Sequence, residues 1–267
     1  MTPVHPPLPR RALIEMIVGA ALISTTSIFV KLAHVGPTMS GFYRMAMGGV
    51  LLLIGLLALR RWQNVPLKTF LWLLIPGIAF AIDLMMWHRS ILYIGPGLAT
   101  LLGNMQVFLM ALAGFVLYRE ALGRHFILGL MLSFVGLVLL IGLDWQHVGA
   151  QYRLGVLLAI ATAFFYAIYM LSTRHGQRSG RIALHPAQLL CVSSLICAVV
   201  LGFASLAEGE SFTIPDAQTW SALIGLALFG QVLGWVFLTR AMPQLPASVI
   251  GLLMLLQPAL SFLLDVI

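Results

Sequence analysis

The chain has 267 residues, of which 61% are hydrophobic and 9% charged, whereas a soluble domain carries about 25% charged residues. That balance excludes a soluble globular protein and points to an all-α integral membrane protein. The net charge of +7 is not a nucleic-acid signal, because the basic residues are spread singly through short loops, as orientation signals are.

The N-terminal "MTPVHPPLPRR" leads into an apolar run interrupted by Glu15 and followed by no small-residue cleavage site, so it reads as an uncleaved first helix rather than a signal peptide. Crossing about 30 Å of hydrocarbon takes roughly 20 apolar residues. Runs of that kind are expected near 12–32, 39–59, 69–92, 96–118 and 125–143, and then near 153–173, 186–207, 217–239 and 246–267. Residues 1–267 thus read as a single transmembrane domain joined by short links. The two cysteines, Cys191 and Cys197, share one span without metal-site spacing and read as packing or lipid-facing residues.

Loop charges set an expected orientation. One set of links holds Arg10, Arg11, Arg60, Arg61, Lys68, Arg119, Arg124, Arg174, Arg178, Arg181 and Arg240, while the other holds little beyond Arg153 and includes the acidic "AEGESFTIPD". The positive-inside rule then puts the N-terminus in the cytoplasm, in the plasma membrane and, for a bacterium, the inner one.

"SILYIGPGLATLL" from residue 90 resembles "RAMPQLPASVIGLL" from residue 240, so spans three and four correspond to eight and nine. The first repeat covers about 12–143 and the second about 153–267. Five spans per repeat is an odd number, which turns the second copy upside down relative to the first, an architecture of secondary transporters. On that count nine spans are present and the tenth is missing, which reads as a truncation.

Three stretches carry a family resemblance. "GAALISTTSIFVKLAHVGPTMSGFYRMAMGG" has the Lys, Pro and Arg order seen at the start of EamA-type members of the drug/metabolite transporter superfamily. "ATLLGNMQVFLMALAGFVLYREALGRHFILGLMLSFVGLVLLIG" resembles their fourth and fifth helices, and "PASVIGLLMLLQPALSFLL" their ninth. The resemblance implies ten helices in two inverted halves and export or exchange of small metabolites such as amino acids. The sequence departs at Gln106 and Val107, where such proteins often carry a proline.

Candidate site residues follow from charge and polarity at membrane depth. Asp83 lies well inside span three, where a carboxylate costs at least about 2.5 kcal/mol, so it must face water or a partner. Trp87 shares its helix face and His88 follows. Arg44 and Lys31 are expected in the same half of the membrane, each able to neutralise Asp83 or to hold a substrate anion, Arg44 with a planar fork. Gln231 and Trp235 repeat the Asp83 and Trp87 spacing in span eight. Gln106 and Gln257 stand at nearly matching repeat positions and could meet near the pseudo-two-fold axis, with Tyr166 as a further polar group at depth. Glu120, flanked by Arg119 and Arg124, reads as a surface ion pair or gate. Gly19, Gly48, Gly49, Gly129 and Gly136 read as packing positions.

The function these features imply is secondary transport of small polar or zwitterionic solutes by alternating access, with Asp83 as a route for proton coupling. An intramembrane enzyme and a passive channel are the alternatives. The seven histidines are scattered without metal spacing and no ring of charges marks a filter. No cofactor or metal is expected, and the partners are a small-molecule substrate, the lipid bilayer and protons, with no nucleic acid.

Overall fold

Inside hydrocarbon a backbone must satisfy its own N–H and C=O groups, and the chain does so with helices. The structure, a computed structural model, describes residues 8–141 and 149–260. Residues 142–143 and 261–267 of the expected fifth and ninth spans, together with His5 and His147, lie outside the described residues.

The first five spans comprise α1 (Arg10–Ser24) with α2 (Thr26–Leu32), α3 (Pro37–Ala58), α4 (Leu67–Ile94), α5 (Pro96–Gly103) with α6 (Gln106–Tyr118), and α7 (Arg124–Ile141). The next four comprise α8 (Ala150–Arg178), α9 (Pro186–Glu208), α10 (Ala217–Gly225) running through a π-helical segment, Leu226–Gly234, into α11 (Trp235–Ala241), and α12 (Ala247–Met254), whose helix resumes after Leu255. Among the described residues, 7 helical segments are long and apolar enough to cross a membrane. The 18-residue α7 and the shorter Ala247–Leu260 occupy the fifth and ninth positions.

Packing partners reveal the two-repeat architecture. Span three packs on span six and span one on span eight; span two packs on span seven, and span four on span nine. Span three also lies on span seven, as span two lies on span eight. Exchanging one with six, two with seven, three with eight and four with nine leaves this pattern unchanged, as a two-fold relation between the halves requires. The link between spans eight and nine is longer than its counterpart at Gly95, and a 3-10 turn, Met242–Gln244, takes up the extra length.

Glycines set the closest approaches. A Cβ on Gly19 would lie 2.8 Å from Leu238 and 2.9 Å from the carbonyl of Gly234, and one on Gly48 would lie 2.6 Å from Gln231. Gly136 plays no such part, since its Cβ would meet no described atom within 4 Å. Both cysteines are buried in packing, and Cys191 Sγ donates to the carbonyl of Gly49.

Spans one, four and nine are interrupted near mid-depth, and a proline contributes to the last of these alone: Pro258 has no N–H to bond the Met254 carbonyl beside the turn at Leu255. In span one the hydroxyls of Ser24 and Thr25 donate back to the carbonyls of Ala21 and Leu22 at 2.6 and 2.7 Å, a local bond that competes with the helical ladder. In span four Asn104 Nδ2 donates to the carbonyl of Thr100 at 2.8 Å, and the backbone N–H groups of Met105 and Val107 bond three residues back, to Leu102 and Asn104. Leu255 N–H likewise bonds the carbonyl of Leu252 in span nine. Such 3-10 pitch inside a helix marks a joint.

Candidate functional site

The three interruptions meet at one cavity. Ser24 and Thr26 come from the break in span one, Gly103 and Asn104 from that in span four, and Gln257 from the resumed helix of span nine. Arg44 of α3, Asp83 and Trp87 of α4, Thr162 and Tyr166 of α8 and Trp235 of α11 stand on the same wall. The space, with the open solvent at its mouth included, is about 670 Å³.

We call the end of the bundle holding Arg10, Tyr118 and Arg178 the N-terminal face and the opposite end the far face. An aromatic floor closes the cavity toward the N-terminal face. Phe80 stacks on Tyr169 with centroids 4.4 Å apart, and Trp235 meets the two edge-on at 5.3 and 4.8 Å. Below this floor Met16, Met110, Met242, Leu245 and Met254 form a dry core. On the other side the walls separate: α2 packs on α10 and the π-helical segment, α5 on α4 and α8. Trp87 and Thr100 are only partly buried there, so the mouth lies toward the far face.

Asp83 and Arg44 are 5% and 7% exposed and look into the same space. Each feels the other's charge, yet the ion pairs found within 4.0 Å among the described residues lie elsewhere. The expectation that Asp83 neutralises Arg44 by direct pairing does not hold. Arg44 instead lays its guanidinium over Phe80, with Cζ 5.8 Å from the ring centroid, a contact that supports a desolvated cation without cancelling its charge. Four buried polar atoms on this wall have no hydrogen-bond partner: Arg44 Nε, Trp235 Nε1, Asn104 Oδ1 and Gln257 Nε2. Each such atom costs about 1–3 kcal/mol. A wall that tolerates four of them, three donors and one acceptor beside an acid, has the chemistry to receive a small guest carrying both charges.

Of the residues singled out from sequence, Asp83, Arg44, Trp87, Tyr166, Trp235 and Gln257 come together here. His88 turns away, its ring against Gly41 and beside Trp87, because one residue along a helix is a 100° rotation. Gln231 is buried against Gly48 and donates to Ser194 Oγ at 2.9 Å. Lys31 sits exposed on the far end of α2. Gln106 is fully buried with neither amide atom hydrogen-bonded, so it makes no hydrogen bond to Gln257, and it is not on the cavity wall. Thr26, Thr100 and Thr162 were not singled out from sequence; Asn104 belongs with Gln106, Gln257 and Tyr166 as a polar group at membrane depth, and it stands on the wall at the interruption in "LLGNMQ".

Glu120 is neither a loose surface pair nor a cavity residue. Its Oε1 accepts from Arg174 Nη2 at 3.1 Å and from the N–H of Ala247 at 2.8 Å, and its Oε2 accepts from the N–H and hydroxyl of Ser248 at 3.2 and 3.0 Å. The start of α12 gains an acidic cap, which suits the positive end of a helix. Arg174, wholly buried, also donates to the carbonyl of Leu245 and lies over Tyr118, with Cζ 4.4 Å from the ring centroid. Spans four, six and nine are thereby tied together beneath the floor. Glu15 adds a second tie, pairing with Arg11 in its own helix and with Arg240 of span eight at 3.3 Å.

A membrane-embedded bundle of two repeats around a polar cavity defines a class, and sequence comparison gives it a family. Residues 10–142 and 153–267 each match the EamA-like transporter family, so the chain belongs to that family. An uncharacterized transporter of Haemophilus influenzae is 26% identical over 163 residues, which are 59% of this chain and 52% of that protein; the match thus spans about half of that relative's length. A protein of known crystal structure superposes with a TM-score of 0.75 at 20% identity, over 95% of this chain and 87% of the other, a likeness of fold.

Proposed function

We propose that the chain is a secondary carrier of small polar solutes bearing both charges, such as amino acids, which moves them by opening the cavity first to one face and then to the other. The observation that carries this reading is the pair of buried, opposite and unpaired charges, Asp83 and Arg44, in a cavity with a mouth at one end and a floor at the other. Arg44 and the neighbouring Trp235 and Gln257 donors hold the anionic end of the substrate, and Asp83 holds the cationic end. Trp87 and Tyr166 pack its body. With the N-terminus in the cytoplasm of a bacterial cell, the mouth faces outward in this conformation, and the cycle runs as export or exchange. Family membership and the joints in spans one, four and nine favour a carrier over an intramembrane enzyme or a channel.

Counterflow in proteoliposomes tests this. Vesicles preloaded with a mixture of unlabelled amino acids should accumulate a labelled member transiently, with saturation, and the Arg44→Ala variant should not. A linear, non-saturating flux, or no flux of any zwitterion, overturns the reading. Proton coupling runs through Asp83 in this scheme, so Asp83→Asn should exchange zwitterions more weakly, and the exchange that remains should no longer respond to an imposed pH gradient. An unaltered response would assign the coupling elsewhere.

A further inference from the structure

Gln106 and Gln257 hold equivalent places in the two repeats but sit in opposite surroundings. Each follows the interruption of its span: Gln106 opens α6 just after the Asn104–Met105 turn, and Gln257 lies just after the turn at Leu255. The spans that carry them pack on each other, with Gly251 of span nine against Val107 and Met110 of span four. Gln257 borders the cavity beside Tyr166. Gln106 is 0% exposed, and neither its carbonyl oxygen nor its amino group has a hydrogen-bond partner. A primary amide buried without partners in a membrane interior is unfavourable, and the packing around it does not account for its presence.

The exchange of repeats accounts for it. Two halves related by a two-fold operation can adopt each other's conformations, because what one half does in this structure the other half can do with the same backbone plan. In this structure the second repeat lends its glutamine to the cavity while the first hides its own. We infer that Gln106 and Gln257 trade places during the cycle: when the N-terminal face opens, Gln106 becomes the cavity amide that contacts the substrate, and Gln257 becomes the dry one. The inference rests on the carrier reading, and it names a substrate-contacting residue that is out of reach in the far-face-open form.

The seal beneath the floor supplies the means to populate the other form. Glu120 joins Arg174 to the start of α12, so Glu120→Ala releases the N-terminal face. Single cysteines at Gln106 and Gln257 are labelled with a membrane-impermeant methanethiosulfonate in the full-length protein, using vesicles of both orientations; the parent chain, whose own two cysteines are buried, gives the blank. With Glu120 present, Gln257→Cys is expected to react from the far face, and Gln106→Cys slowly and from the N-terminal face alone. With Glu120→Ala, the Gln106→Cys rate should rise roughly tenfold or more, as a minor state becomes a major one, while the Gln257→Cys rate falls. Gln106→Cys reacting no faster than the blank in both backgrounds overturns the inference, as does reaction at both positions from the far face.

Should Glu120→Ala not fold, Gln106→Leu gives an independent reading. It replaces the orphaned amide with an apolar side chain of similar size, so it should raise the melting temperature and slow counterflow, whereas a packing role for the amide would lower the melting temperature. Counterflow separates this inference from the carrier reading. Saturable flux with an inert Gln106→Cys sinks the exchange alone, and swapped labelling without flux of any solute sinks the carrier reading alone.

Discussion

The two ends of the bundle use the same device to opposite effect. At the N-terminal face Glu120, at the end of span four, binds Arg174 of span six and caps the start of α12 in span nine; span four already packs on both, so the clamp's added link is between α8 and α12, which otherwise touch little. At the far face Glu210 caps the start of α3 through the N–H groups of Met39 and Thr38, and Glu208 binds the Thr38 hydroxyl and Arg89. These far-face contacts join span seven and the loop after it to spans two and three, elements that already pack side by side. The clamp that links two sparsely packed helices, α8 and α12, stands at the closed end, and the one confined to elements that already pack stands at the open end. The open end is therefore set by which elements each glutamate joins, since both ends are well supplied with ion pairs.

The largest expected effect comes from breaking the closing clamp. Glu120→Ala leaves Arg174 buried without its counter-charge, a loss of about 3–5 kcal/mol, seen as a lower melting temperature in detergent. An unchanged melting temperature would show that the clamp is ornamental and the dry core alone closes that end. Between the two ends, Arg44→Ala should weaken zwitterion binding by about 1.5–3 kcal/mol, the value of hydrogen bonds to a charged group, measured as a lost ligand-induced thermal shift.

Gly19→Ala probes the packing of spans one and eight. Its methyl group would press on Leu238 and on the Gly234 backbone, costing about 1–3 kcal/mol, while Gly136→Ala should be neutral or better. Glu210→Ala removes a cap at the far face and should cost about 1 kcal/mol without closing the mouth, as judged by unchanged labelling of a cysteine at position 257.

The smallest effect lies at the exposed rim. His34 Nδ1 lies 2.9 Å from Asp216 Oδ2, and that hydrogen bond, with one from the N–H of Thr219, holds the Asp216 carboxyl down to about 2 from its usual 3.8. A depressed carboxyl stabilises the fold fully above the usual value and loses that contribution as pH falls toward its own. The melting-temperature gap between the parent and Asp216→Asn should thus stay level above pH 3.8 and shrink between there and about 2. A gap that widens on acidification would refute the pairing.

Much of this was legible in the sequence because lipid enforces simple rules. Apolar runs of spanning length, the echo of "SILYIGPG" in "RAMPQLP" and an acid stranded at Asp83 each have one cheap explanation, and the helices, the repeats and six cavity residues follow from them. The interruptions were not legible. Ser24, Thr25 and Asn104 are small polar residues that look alike in sequence whether they bond back to their own helix or face a pocket, and only the packed bundle separates the two. The same holds for Glu120, whose partners Ala247 and Arg174 lie far off in sequence.

Thr25 ends one helix and begins the next, which makes the stretch from Thr26 to Leu32 a jaw on an elbow. A rigid post in its place would still let a guest settle among Asp83, Arg44 and the indoles, but nothing would fold over it. Mending that elbow, so that α1 and α2 run as one rod, should leave a protein that grips its cargo and never carries it across.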